Sequence, residues 1–159
     1  AAVVCLLSLL YGGCDNPFAP KLGDTQNSQL PDASTIGGML ELFRYSYINK
    51  DSLYYSQVLD SSFVFQYYDA INSRYDQWYR YTDLKATAGI FKAFEDIDLT
   101  WYNLSPEDRD FAEAGVLRED VVVNFNLTLD NKVIYGFARL DCYKKTGGSF
   151  KITAWRDDY

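Results

Sequence analysis

The sequence predicts an α+β domain in which three N-terminal helices pack on one face of a curved antiparallel sheet. Three observations lead there. Apolar residues recur at helical spacing as Ile36, Leu40, Phe43 and Tyr47, and further on Leu84, Thr87, Phe91 and Phe94 share one helical face. The last third alternates strictly, as in "EDVVVNFNLTL" and "KVIYGFARLDCYK". Turn signals, Asp130-Asn131 and Thr146 to Gly148, divide those runs into hairpins.

The elements follow in order. Ser34 or Thr35 caps the first helix, which Asn49-Lys50 ends. Asp51 caps a shorter second one, "SLYYSQVL". "SFVFQYY", Ser62 to Tyr68, is β-branched and aromatic and reads as a strand. "DAINSRYDQ" reads as a loop, and Thr82 as the cap of a third helix, in which Gly89 allows close packing against the sheet. "IDLTWYN" is a strand. In "SPEDRDFAEAG", Ser105 precedes Pro106 at the first helical position and Asp108 three residues on, a capped turn of helix. Three strands close the domain, the last being "SFKITAWRD".

Before this domain the chain has a different character. Ala1 to Leu10 is an apolar run of about ten residues, short of the roughly 20 that span a bilayer and long enough for the hydrophobic region of a signal peptide. Gly12-Gly13-Cys14 follows. The run and its small-residue pair before a cysteine resemble a bacterial lipoprotein signal. That resemblance implies cleavage between Gly13 and Cys14, lipidation of Cys14, and a place in the cell envelope, anchored to a membrane and facing the periplasm or the exterior. Asp15 to Ala33 holds Pro17, Pro20 and Pro31 and has no apolar periodicity, the composition of a solvated tether. The expected division is a signal remnant at 1–13, lipidated cysteine and linker at 14–33, and a folded domain at 34–159.

The net charge of −7 gives no electrostatic footprint for nucleic acid, and it repels anionic headgroups, so membrane contact needs an anchor. There is no histidine and no CxxC, hence no readable metal site, and no cofactor is expected. With Cys5 in the signal and Cys14 acylated, Cys142 has no internal disulfide partner.

Counting out from the turns pairs Leu127 with Ile134, Phe125 with Gly136, Val123 with Ala138 and Val121 with Leu140. The same counting sets Cys142 opposite Ile152, Leu140 opposite Ala154 and Arg139 opposite Trp155, a cation–π pair. The inner face is then apolar. With Tyr47 and Phe91 from the helices, it offers Phe125, Ile134, Gly136, Ala138, Ile152 and Ala154 as the lining of a pocket, with the small residues leaving a hollow. The outer face carries Tyr135, Phe137, Arg139, Tyr143 and Trp155, the composition of an interface.

The order of elements, the third helix "LKATAGIFKAF" and the closing "FKITAWRD" resemble the nuclear transport factor 2-like superfamily, a cystatin-like α+β cone. The resemblance covers about Thr35 to Asp158 and implies fold more than function, because the superfamily holds isomerases, dehydratases and epoxide hydrolases beside non-catalytic binding and dimerising domains. It implies that the outer sheet face is where two copies would pair. Three readings follow: a tethered domain binding a small apolar ligand or a partner without catalysis, an isomerase or hydratase with Asp98 or Asp69 as base and a tyrosine such as Tyr67 as donor, or a structural dimerisation module.

Overall fold

The computed structural model describes residues 30–157. Cys14, the signal remnant and most of the linker therefore lie outside the described residues. Among those described, no helix is long and apolar enough to cross a membrane.

Four helices and six strands run in the order α1 (Ile36–Ile48), α2 (Ser52–Val58), β1 (Leu59–Asp69), β2 (Arg74–Tyr79), α3 (Arg80–Ala93), β3 (Ile97–Tyr102), α4 (Pro106–Arg109), β4 (Leu117–Leu129), β5 (Lys132–Lys144) and β6 (Phe150–Asp157). The strands form one sheet, ordered β2-β1-β6-β5-β4-β3. α1 lies across β3 and β6, and α3 packs on β1, so the helices close one side of the sheet into a cone.

Side-chain caps set the helix starts. Thr35 accepts the Gly38 N–H at 3.0 Å, Asp51 accepts those of Leu53 and Tyr54 at 2.9 and 3.0 Å, and Ser105 accepts that of Asp108 at 3.1 Å ahead of Pro106. One face of α1, with Ile36, Met39, Leu40, Phe43 and Tyr47, is buried against Val121, Val123, Leu140, Phe150 and Ile152 of the sheet. Cys142 lies in the same core, where burial pushes its thiol well above the ordinary value.

Close approach of two chain segments explains a glycine at the start of α1. A Cβ on Gly38 would collide with the Asp32 carbonyl oxygen. Gly38→Ala gains about 1 kcal/mol of helix propensity but overpacks a backbone contact, at a cost of about 1–3 kcal/mol. A net loss of stability is expected, read as a lower urea midpoint at unchanged slope.

The structure corrects four expectations. The sheet is mixed, not wholly antiparallel, because β1 pairs β6 in parallel. "DAINSRYDQ" is not all loop: its second half starts β2, which pairs with β1 from Asp69↔Arg74 to Val64↔Tyr79. Helix α3 follows that hairpin and starts at Arg80, its N-cap Tyr79 making no side-chain cap bond, so Thr82 lies inside the helix and is no cap. Gly89 is exposed with nothing within 4 Å of a Cβ, so it serves no close packing.

The last hairpin carries a more consequential difference. β4 and β5 pair in the expected register, Leu129↔Lys132 through Val121↔Leu140. β5 and β6 keep Cys142↔Ile152, then shift: Asp141 pairs with Ala154 and Leu140 with Trp155. Thr153 is the extra residue of a β-bulge, and its hydroxyl donates to the Asp141 carbonyl at 3.1 Å. Beyond a bulge every side chain changes face. Ala154 therefore leaves the inner face and Trp155 enters it.

Candidate functional site

At the open end of the cone, between α1 and the concave sheet face, lies a cavity of about 210 Å³ lined by Phe43, Tyr47, Phe65, Leu99, Trp101, Phe125, Leu127, Ile134, Trp155 and Asp157. Each ring has a local cause. Phe43 and Tyr47 sit four residues apart on α1 and stack at 5.0 Å. Phe65 on β1 stands beside Trp155 on β6 because the parallel ladder pairs these two positions, with centroids 5.8 Å apart. Trp101 on β3 pairs with Phe125 on β4, and the Trp101 indole N–H donates to the Leu40 carbonyl at 3.0 Å, which fixes its plane. The Trp155 indole N–H is buried without an acceptor, so packing alone positions that ring.

Gly136 opposite Phe125 permits the ring's position. A Cβ there would meet the tip of Phe125 at 2.6 Å. The expected hollow over the small residues is therefore filled by Phe125, and the free space lies further out. Ile134, 45% exposed, marks the mouth.

A polar cluster stands behind the aromatic wall. Asp83 on α3, only 8% exposed, accepts the Tyr55 hydroxyl at 2.5 Å and the Trp78 indole N–H at 3.0 Å, one on each oxygen. Trp78 in turn stacks on Phe65 at 4.5 Å with planes 10° apart, and Tyr55 packs edge-on to Phe43 and Tyr47. Asp83 thus holds two of the rings that buttress the cavity. The Tyr47 hydroxyl lies 3.5 Å from that of Thr87, also behind the wall. Burial, reinforced by the negative charge of Asp83, raises the Tyr47 pKa to about 12, and burial drives Tyr55 well above its ordinary value. Both phenols must be neutral in the folded state. The stabilisation from keeping them neutral is complete below pH 10, and the Tyr47 part is lost as pH rises toward about 12. In a spectrophotometric titration, two tyrosines are expected to ionise only with unfolding.

The sequence-derived candidates fall in different places. Tyr47, Phe125 and Ile134 line the cavity. Phe91 packs behind Tyr47 at 5.2 Å, and Ala138 and Ile152 are fully buried in the core beneath it. Ala154, on the other sheet face, is not at the cavity, and Trp155, expected outside, is one of its walls. The expected Arg139–Trp155 pair is likewise replaced: Arg139 pairs with Arg156 and lies 3.7 Å from Asp120. On the convex face Tyr135 is 70% exposed beside Val133, with Phe137 half-buried. Tyr143 lines a separate polar cleft of about 340 Å³ with Arg80, Lys145 and Lys151.

Neither candidate base reaches the cavity. Asp98 is exposed on β3, opposite Thr128 and out of phase with the inward Ile97 and Leu99. Asp69 closes the β1–β2 turn: its carboxyl accepts from the Asn72 side chain at 2.6 Å and from the Ile71 and Asn72 backbone at 2.9 and 3.2 Å. The Asn72 bonds lower its pKa, the opposite of a poised base. Tyr67, two residues from Phe65, packs against Trp78 at 5.1 Å, beyond the cavity rim. The sequence reading missed Phe65, Trp101 and Asp157 in the lining and Asp83 and Trp78 behind it. For Asp83 a signal existed, since it stands four residues before Thr87 and eight before Phe91, on their buried face. Among the described residues no group of acidic, cysteine or histidine side chains could hold a metal ion.

No family model and no curated protein matches the chain. Solved structures do. One is "Rd1NTF2_04 with long sheet", 11% identical with a TM-score of 0.51, covering 75% of this chain and 95% of that one. Another is a conserved protein from Planctomyces limnophilus, 14% identical with a TM-score of 0.56, covering 78% of this chain and 92% of the other. A third is a candidate scytalone dehydratase from Novosphingobium aromaticivorans, 13% identical with a TM-score of 0.56, covering 77% and 79%. At these identities the likeness concerns the fold alone. The element order, the sheet topology and these neighbours together show that the chain has the nuclear transport factor 2-like fold.

Proposed function

We propose that this is a membrane-tethered exported lipoprotein whose domain binds a small, largely apolar ligand without transforming it. The cavity carries this reading. Its lining is aromatic and aliphatic, and only Tyr47 and Asp157 among the described lining residues bear titratable heads. The Tyr47 hydroxyl is engaged with Thr87 behind the wall and does not face a bound molecule. Acid–base chemistry needs a base and a second polar group aimed at the same reacting atoms, and the described lining presents no such second group. The volume of about 210 Å³ lies below the roughly 300–1,000 Å³ of drug-sized sites, so the ligand is small.

The tether reading rests on Gly12-Gly13-Cys14 after an apolar run and on the proline-rich stretch that follows. It is tested by metabolic labelling with a radioactive fatty acid in a bacterial host: wild type carries label in the membrane fraction, and Cys14→Ala carries none and is recovered unprocessed. Label on the Cys14→Ala protein would end this reading. The convex face, with Tyr135, Val133 and Val122 exposed, is where two copies would pair. Sedimentation would show a dimer that Tyr135→Asp dissociates; a monomer at high concentration contradicts the pairing.

A further inference from the structure

A second cleft, of about 340 Å³, lies where the β5–β6 turn meets the start of α3. Arg80, Lys145 and Lys151 line it against a single carboxylate, Asp60, an excess of two positive charges in a chain whose net charge is −7. The fold gathers these heads from separate elements. Tyr143 and Lys151 are ladder partners on β5 and β6, and Lys145 follows directly after β5. Arg80, the first residue of α3, donates to the Ser56 carbonyl at 2.7 Å and to the Leu59 carbonyl at 3.4 Å. Both partners are neutral, so they hold the guanidinium without cancelling its charge.

The local carboxylate is already engaged. Asp60 accepts the Ser62 N–H at 2.9 Å and the Ser61 and Ser62 hydroxyls at 3.3 and 2.9 Å, and it feels the Lys151 charge. Among the described residues no ion pair joins Arg80, Lys145 or Lys151 to a carboxylate. The positive end of α3 adds to the same sign, since Tyr79 makes no side-chain cap bond and the first-turn Asp83 is committed to Tyr55 and Trp78.

We infer that this cleft binds a phosphate group. Its excess of two positive charges matches the dianion of a phosphomonoester, whereas a carboxylate would leave one cation unpaired. Tyr143 and Ser149 of the lining carry hydroxyls suited to the same oxygens. The inference rests on neither the cavity nor the tether. The group is carried either by a soluble phosphate or by a lipid headgroup. The chain enters the domain beside the cleft, because the Phe150 N–H donates to the Ala33 carbonyl at 2.8 Å and the Lys144 ammonium to the Ser34 carbonyl at 2.8 Å.

The test has two arms, both on the full chain at low salt. Calorimetry compares inorganic phosphate with acetate, and phosphate is expected to bind about tenfold more tightly. The double variant Lys145→Gln, Lys151→Gln should weaken phosphate by at least about tenfold, while Lys92→Gln, exposed in the last turn of α3, leaves it unchanged. Asp60→Asn should tighten phosphate about threefold, a gain that damage to the fold would not produce. In the second arm the same proteins are sedimented with phosphatidic acid or phosphatidylcholine vesicles. A preference for phosphatidic acid that only the double lysine variant loses assigns the group to a lipid; phosphate binding in the first arm alone assigns it to a soluble molecule. Far-UV dichroism checks that each variant is folded. The inference falls if the double variant matches wild type in both arms, or if neither arm shows a preference, and the cavity reading then stands unaffected.

Discussion

Asp83→Ala is expected to destabilise the domain by about 3–5 kcal/mol. The side chain is buried and accepts two hydrogen bonds, from Tyr55 and Trp78. Bonds to a carboxyl group of this kind contribute more than neutral pairs, and truncating the acceptor leaves two buried donors unsatisfied at about 1–3 kcal/mol each. The void adds to the loss. Asp83→Asn keeps the shape and one acceptor oxygen, so it should cost only about 1–2 kcal/mol. Urea denaturation followed by far-UV dichroism gives both values. Near-UV dichroism should also fall in the alanine variant, because Trp78 loses the bond that fixes its stack on Phe65. Equal stability of wild type and Asp83→Ala would mean that this cluster does not buttress the cavity.

The second large effect concerns the residue that shapes the sheet. Asp141 is flanked by two irregularities, the Thr153 bulge in β6 and another in β4 between Arg118 and Val121, where Asp120 takes φ 55°. Its carboxyl receives both terminal nitrogens of Arg156, the closest at 2.7 Å, and the Asp120 backbone N–H at 3.1 Å. Its carbonyl receives Thr153. A bidentate arginine bond of this kind is strong, but Arg156 keeps some solvent and a second carboxylate, Asp120, at 3.7 Å. Allowing for that screening, Asp141→Ala should cost about 2–3 kcal/mol. The bulge also aims Trp155 inward, so the variant should lose affinity for the cavity ligand beyond any loss of folded protein. Calorimetry below the unfolding midpoint separates the two. Unchanged affinity would show that Trp155 holds its place without the Asp141 knot.

Much of this was legible in the residues, and the failures have particular causes. The β4–β5 register followed from the two-residue turn at Asp130-Asn131, because a tight turn fixes every later pair. The same arithmetic slipped between β5 and β6 by one residue. Strict alternation assumes no bulge, and Thr153, an ordinary strand residue, gives no sign of being the extra one. That single residue moved Trp155 from the expected interface to the cavity wall. β2 was hidden by the turn residues and charges before it, although Tyr75, Gln77 and Tyr79 alternate with Asp76 and Trp78. The parallel β1–β6 pairing joins the first and last strands, and no local pattern announces a contact that distant. Asp83 stands in a first helical turn, where acids are common for reasons of the helix dipole, so its residue type alone does not announce a buried acceptor.

The inward Trp155 and the cavity it completes are tested most directly by the indole N–H resonances of Trp78, Trp101 and Trp155 in a nitrogen-labelled sample titrated with 3,3-dimethylbutan-1-ol, a small neutral apolar probe. The structure predicts saturable shifts of the Trp101 and Trp155 signals, a smaller one for Trp78 behind Phe65, and none for the backbone of the Lys145–Gly148 turn. Still indole signals, with shifts confined to Tyr135 and its neighbours on the convex face, would contradict it.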